Sequence, residues 1–244
     1  MKTIKYYSII MLLLGASFMS CKKTKEKEKE DPYVCTTCSQ IPEGVAANDN
    51  NSKGIYKGVV IGSSGTIKFD IANTNSNSIK ATMVIDGITV TLTTTTAWVA
   101  GQLYVAPFKG TLNGQEVTVT FSVAASGSGA TIVSSSIPGH PNAIFSIAKE
   151  TSTALVRCFE GTYQTSDNEK GTFNIIVSTL LKGWTGKARE NGSQSATDIY
   201  GTYVNNTLID ESGATIAPIN GDEFSGSFKN SRGVTIIVKG KRTL

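Results

Sequence analysis

From Gly54 to the last residue, apolar side chains recur at every second position and helical spacing is nearly absent. Ile67, Phe69 and Ile71 alternate with Thr66, Lys68 and Asp70, and Ile88, Val90 and Leu92 alternate with Thr89, Thr91 and Thr93. Val117, Val119, Phe121 and Val123 do the same with Thr118, Thr120 and Ser122. Successive side chains of a strand point to opposite faces of its sheet, so this rhythm gives strands buried on one face and wet on the other. Such strands pair antiparallel.

Turn signals fall where these strands must reverse. Asp86-Gly87 separates Met83-Val84-Ile85 from Ile88-Thr89-Val90, and Asn113-Gly114 separates Gly110-Thr111-Leu112 from Gln115-Glu116-Val117. Both pairs suit two-residue type I′ turns, whose positive φ angles Asp, Asn and Gly adopt most readily. Asn191-Gly192 is a third candidate. Short strands with turns roughly every 8 to 12 residues predict an all-β chain of antiparallel meanders closed into barrels or a sandwich.

The chain also repeats itself. Gly54-Ile55-Tyr56 followed by Gly65 to Ile71 matches Gly161-Thr162-Tyr163 followed by Gly171 to Val177. Phe108 to Leu112 with Val117 to Phe121 matches Phe224 to Phe228 with Val234 to Val238 in the same order. Two related halves are expected, a first meander over 54–152 and a second over 153–244, with the boundary near Glu150 to Arg157. About 190 residues beyond Gly54 suffice for one generous core or two small ones.

Ahead of the strands stands a leader: Lys2 and Lys5, an apolar run from Ile9 through Ala16, then Ser20 before Cys21. A positive start, a short apolar stretch and a small residue ahead of the cleavage point make a secretory signal over 1–20, too short to span a bilayer. Ordinary cleavage without a lipid wants a small residue where Phe18 stands. The Ser20-Cys21 junction resembles the lipobox of bacterial lipoproteins, with Phe18 and Met19 in place of the usual Leu and small residue. The resemblance implies that Cys21 is acylated and becomes the mature N-terminus. With about 0.8 kcal/mol per buried methylene, several acyl chains would hold the protein on a bilayer. Lys22 after the cysteine, rather than Asp, implies outer-membrane retention by analogy with lipoprotein sorting. Taken with the strand pattern, the chain resembles outer-membrane or surface lipoproteins that carry β-barrel modules.

Residues 21–53 are expected to form the tether. Its charged run, Lys22 to Asp31, alternates Lys and Glu, has no apolar face, and ends at Pro32. A mixed-charge run at this place also serves as a surface-export signal in some lipoproteins, so the periplasmic and the surface face both stay open. The chain has 23 basic and 19 acidic residues, two of the basic ones in the leader, which is no footprint for nucleic acid. Lys229, Arg232, Lys239, Lys241 and Arg242 cluster near the C-terminus and read as solvated charges that protect a terminal strand from edge-to-edge pairing.

Chemistry-bearing motifs are few. The one histidine, His140, lies in the turn sequence Pro138-Gly139-His140-Pro141-Asn142 and reads as an exposed loop residue rather than the base of a triad. No Gly-x-Ser-x-Gly elbow or phosphate-binding P-loop occurs. Cys35-Thr36-Thr37-Cys38 lacks the second ligand pair that zinc needs, and Ser39 replaces the His of a c-type haem site. Structural disulfide chemistry remains, either a local Cys35 to Cys38 ring or a bridge from one of them to Cys158. Asn48 to Gly54 begins like a calcium loop, but counted from Asp49, Lys53 and Val60 displace two ligands; Asp167 to Gly171 fails similarly. Asp222 and Glu223 are neighbours on one strand and point to opposite faces, so they do not form a catalytic pair. No catalytic residue, metal or cofactor is expected.

Aromatic residues are the remaining handle. Trp98, Tyr104, Trp184, Tyr200 and Tyr203 lie in Gly- and Thr-rich segments, and exposed rings of this kind stack on sugars or line apolar pockets. The expectation is a non-catalytic, membrane-anchored binding module for a small apolar ligand or glycan. An interaction lipoprotein that engages another envelope protein is the alternative, and a hydrolase comes third.

Overall fold

The computed structural model describes residues 31–61, 65–74 and 78–244; the leader, Cys21 and all of the charged run but Asp31 lie outside the described residues. A turn of 3-10 helix, Ala46–Asn48, precedes the strands. The first half comprises β1 (Gly54–Ile61), β2 (Gly65–Ile71), β3 (Ile79–Ile85), β4 (Ile88–Thr93), β5 (Tyr104–Leu112), β6 (Gln115–Val123), β7 (Thr131–Ser136) and β8 (Ile144–Glu150). The second comprises β9 (Val156–Thr165), β10 (Lys170–Ser178), β11 (Gly183–Glu190), β12 (Thr197–Val204), β13 (Thr207–Asp210), β14 (Thr215–Asn220), β15 (Glu223–Lys229) and β16 (Thr235–Arg242).

The fold is all-β, and each half is an antiparallel meander of eight strands. In the first, β1 pairs with β2 on one side and β8 on the other, so the sheet runs β7-β6-β5-β4-β3-β2-β1-β8. It curls until β7 and β8 lie beside each other without a hydrogen-bonded ladder, one seam short of closure. The second half closes completely, because β9 pairs with both β10 and β16. Full closure removes both sheet edges.

Two of the expected turns form as read. Asp86 and Gly87 have φ of 49° and 76° between the paired Ile85 and Ile88, and Asn113 and Gly114 have 51° and 79° between Leu112 and Gln115. Asn191-Gly192 does not make such a turn: only Gly192 of the two has positive φ, and the chain takes a longer loop from Glu190 to Thr197. Asn205-Asn206 makes one instead, with φ of 50° and 59° between the paired Val204 and Thr207. The first repeated block occupies the first two strands of each half, whereas the second lies on β5 and β6 in one half and on β15 and β16 in the other. The halves therefore share strand number and winding while the second block is two strands out of step.

The first barrel is filled. Tyr56, Phe69, Phe108 and Phe121 are completely buried, with Phe69 stacked on Phe121 at 4.4 Å and edge-on to Phe108 at 5.0 Å between centroids. The outer face of β1 is buried too, against the second barrel: Val59 and Ile61 pack with Val156, Cys158 and Ile176. Lys57, on that same outer face, reaches Glu150 at 2.8 Å with neither side chain exposed. Glu150 also accepts from the backbone N–H of Val156 (2.8 Å) and of Glu43 (2.7 Å), so one carboxylate ties together both barrels and the chain that precedes them.

That preceding chain, from Pro32 to Lys53, is packed onto the barrels. The Tyr33 hydroxyl donates to the Arg242 carbonyl at 2.9 Å, and the Cys35 N–H to Asp222 Oδ2 at 3.0 Å. Arg242, expected to be solvated, is 1% exposed: it pairs with Asp222 at 3.1 Å and donates to Gln40 Oε1 and the Ser39 carbonyl. Its strand is no edge, since β16 lies between β15 and β9, and the strap covers that end of the barrel. Cys35 and Cys38 form the local disulfide, and Cys158 is a free thiol sealed in the junction. Burial pushes the Cys158 thiol up to about 12, against the pull of Lys57 and Arg242 and with a smaller push from Glu150.

The calcium-like segment is a turn that fastens the strap. Asp49 accepts from the Ser152 N–H and hydroxyl at 2.9 and 2.7 Å, and the Asn48 amide donates to the Asn73 carbonyl at 2.8 Å.

Candidate functional site

On the inner wall of the second barrel, aromatic residues stand directly across the ladder from glycines: Tyr163 from Gly171, Phe173 from Gly161, Trp184 from Gly201, and Phe224 from Gly240. A Cβ on Gly161 would lie 2.3 Å from the Phe173 ring, and one on Gly240 2.5 Å from the Phe224 ring. Each ring is thus laid flat over its neighbour's bare backbone. Phe173 and Phe224 stack at 5.8 Å, and with Trp184 they make a floor.

Above that floor the barrel is hollow. A cavity of about 590 Å³ opens at the end that carries the β9–β10, β11–β12, β13–β14 and β15–β16 connections. Its size falls in the range of small-molecule pockets, roughly 300–1,000 Å³. Tyr163, Ile175, Ile199, Leu208, Phe228 and Ile236 contribute to an apolar wall. The first barrel, with the same number of strands, fills its interior with fully buried rings instead.

Compared with models of known protein families, with curated proteins and with solved structures, the chain finds no match.

The structure separates the five aromatic candidates. Trp184 lies in the cavity floor, 8% exposed, its indole N–H donating to the Ile209 carbonyl at 2.9 Å. Tyr200 stands exposed at the rim, where a hydrogen bond to Glu211 and that carboxylate's charge raise its pKa. Tyr203 faces inward near the opposite end, donating to Asn206 Oδ1 at 2.6 Å and accepting from Arg157 at 2.5 Å. The other two belong to the first barrel. Trp98 donates to Ser52 Oγ at 2.7 Å beneath the Lys53 ammonium, which is 4.4 Å from its ring centre. Tyr104 is buried, donates to the Thr96 carbonyl at 3.1 Å, and has its pKa raised to about 12 by burial.

Sequence reasoning missed Tyr163, Phe173, Phe224 and Phe228 as cavity residues, although Tyr163 sits in the repeated Gly-Thr-Tyr block. The usable signal was an aromatic residue on one strand facing a glycine on the next, which cannot be read until the register is known. The Tyr163 hydroxyl donates to Glu169 Oε1 at 2.8 Å. Burial, that hydrogen bond, and the charges of Glu169 and Glu190 together hold the phenol well above its usual pKa.

His140 reaches Asp86 across the end of the first barrel, Nε2 to Oδ2 2.9 Å. Among the described residues, no serine or cysteine is hydrogen-bonded to this imidazole, and no group of three or more His, Cys, Asp or Glu residues could hold a metal ion.

Proposed function

We propose that this chain is an envelope lipoprotein, anchored to the outer membrane through acylated Cys21, that acts as a non-catalytic binding module and takes a small apolar ligand into the open mouth of its second barrel. The observation that carries the reading is the cavity of about 590 Å³ in the second barrel, floored by Phe173, Trp184 and Phe224 and open at one end, beside a first barrel in which Tyr56, Phe69, Phe108 and Phe121 are completely buried. An empty apolar volume forgoes the dispersion contacts that a filled core makes, so a ligand of matching size recovers them. The anchor rests on the leader and the Ser20-Cys21 junction.

The test uses the full chain with Trp98→Phe, which leaves Trp184 as the only tryptophan, and with Cys21→Ser, so that no acyl chain of its own competes. The neutral apolar probe N-phenyl-1-naphthylamine should bind saturably and shift Trp184 emission. Ala188→Trp, which fills the mouth, should abolish probe binding while far-ultraviolet circular dichroism stays unchanged. Saturable binding that survives Ala188→Trp would place the probe elsewhere and sink the reading. For the anchor, the wild-type chain should carry acyl mass on Cys21 and the Cys21→Ser chain should leave the membrane fraction.

A second reading, engagement of another envelope protein, is favoured by the seam of the first barrel. Among the described residues the facing edges of β7 and β8 have no ladder partner, and an added strand could pair there.

A further inference from the structure

The cavity's mouth is strongly one-signed. Asp167, Glu169, Glu190, Asp198, Asp210 and Glu211 line it, and among the described residues Arg232 is the only cation in the lining. Lys187 offsets Asp198 at 2.5 Å, and the Asp210 carboxylate is held by its own turn through the N–H groups of Ser212 and Ala214 at 2.9 and 2.8 Å. Glu169 and Glu190 differ from these. They flank the Tyr163 ring where it crosses Gly171, the residue that pairs with Glu190; Glu169 accepts from the Tyr163 hydroxyl, and the Glu190 carboxylate has no hydrogen-bond or ion-pair partner among the described residues.

Resting on the reading of the cavity as a binding site, we infer that its ligand is a cationic amphiphile, with an apolar body on the Phe173, Trp184 and Phe224 floor and an ammonium group at the mouth between Glu169, Glu190 and the Tyr163 ring. The wall supplies no charge to a ligand's apolar part, because the carboxylates are confined to the ends of strands and the hairpin connections above it. An ammonium at that height meets two carboxylates and the negative face of an aromatic ring, a combination that favours organic cations. A carboxylate or sulfate head would meet like charge on nearly every side, which works as rejection rather than mere indifference. Burial raises the pKa of Tyr163 most, and the hydrogen bond to Glu169 and the charges of Glu169 and Glu190 raise it further, so negative charge at this point of the mouth is unfavourable.

The test compares decyltrimethylammonium, decanol and decyl sulfate, all below micelle-forming concentrations, as displacers of N-phenyl-1-naphthylamine from the full chain carrying Trp98→Phe and Cys21→Ser. At low salt the cation should bind at least about tenfold more tightly than the anion, with decanol between them; near 1 M salt, where the screening length is about 3 Å, the order should nearly collapse. Glu169→Gln with Glu190→Gln should remove the cation's advantage over decanol and over decyl sulfate, and a cation advantage that persists in this variant would overturn the assignment. Equal or tighter binding of decyl sulfate, with decanol still binding, would overturn the cationic assignment while leaving the pocket. Failure of all three to displace a bound probe would overturn the cationic assignment, and a probe that does not bind the chain at all would overturn the reading of the cavity as well.

Discussion

Lys57 and Glu150 meet at 2.8 Å with neither side chain exposed, and they do so on the outer face of a barrel, a surface that in an isolated barrel would be wet. The pair exists because the second barrel covers β1. Removing one partner of a buried pair leaves an uncompensated charge and costs more than the pair itself contributes. Lys57→Met should therefore lower unfolding free energy by about 3–5 kcal/mol, measured by urea denaturation at pH 7. Adding Glu150→Gln should recover part of that loss by removing the uncompensated charge, although its single amide oxygen can accept from only one of the Val156 and Glu43 N–H groups, which bond different oxygens of the carboxylate. An additive double variant would mean that the two residues are not coupled.

Acid should weaken the same junction through Glu43. Burial works against ionisation of this carboxyl, but hydrogen bonds and charge from Lys57 and Lys68, both 3.0 Å away, outweigh it and hold its pKa below the ordinary 4.5. A carboxyl depressed in the folded state stabilises above its unfolded pKa and loses that contribution as pH falls through the folded value. The stability difference between wild type and Glu43→Gln should be constant from pH 7 to about pH 5 and shrink below pH 4.5. Glu160 works with the opposite sign, because burial raises its pKa despite Lys241, so the paired comparison is needed to isolate Glu43.

Cys158 should be unreactive until the junction opens. Its thiol is completely buried and its pKa is pushed up to about 12, so the reactive thiolate is scarce at neutral pH. Native protein should resist maleimide labelling, and labelling in a urea series should follow the unfolding transition. Rapid labelling of folded protein would show that the barrels separate readily.

Gly201 should tolerate no side chain. A Cβ there would stand 2.8 Å from Trp184 Nε1 and 2.0 Å from the Ile209 carbonyl oxygen, the two ends of the hydrogen bond that fixes the indole. Gly201→Ala should cost roughly 1–3 kcal/mol and shift Trp184 emission to the red as the ring is displaced. Unchanged emission would mean that the ring is not held by that contact.

The seam of the first barrel should exchange amide hydrogens faster than the second barrel does. Strand β7 is laddered on one side only and is mostly exposed, whereas β16 is laddered on both sides. Hydrogen exchange should show Val133 and Ser134 opening well before Val238 and Gly240. Comparable protection would indicate that β7 and β8 pair in solution.

Parts of the site were legible for local reasons and parts were not. Trp184 stood out as an aromatic among glycines. Its partner in the ladder, Gly201, carried no sign of that role, because register across a sheet depends on two segments at once. The rim carboxylates Glu169 and Glu190 were not singled out in the sequence as site residues, because their common direction arises only from closure of eight strands around one axis.

The sequence by itself determined the strands, two of their two-residue turns and the all-β class, because alternation and positive-φ turns are properties of a few adjacent residues. Tertiary structure alone decided which cysteine stayed free, why Lys57 and Arg242 are buried while Lys239 is exposed, and which barrel is hollow. Alternation says that a side chain faces outward. It cannot say whether water, a strap or a second barrel lies on that side, and it cannot say whether the inward rings of eight strands together fill the space they enclose.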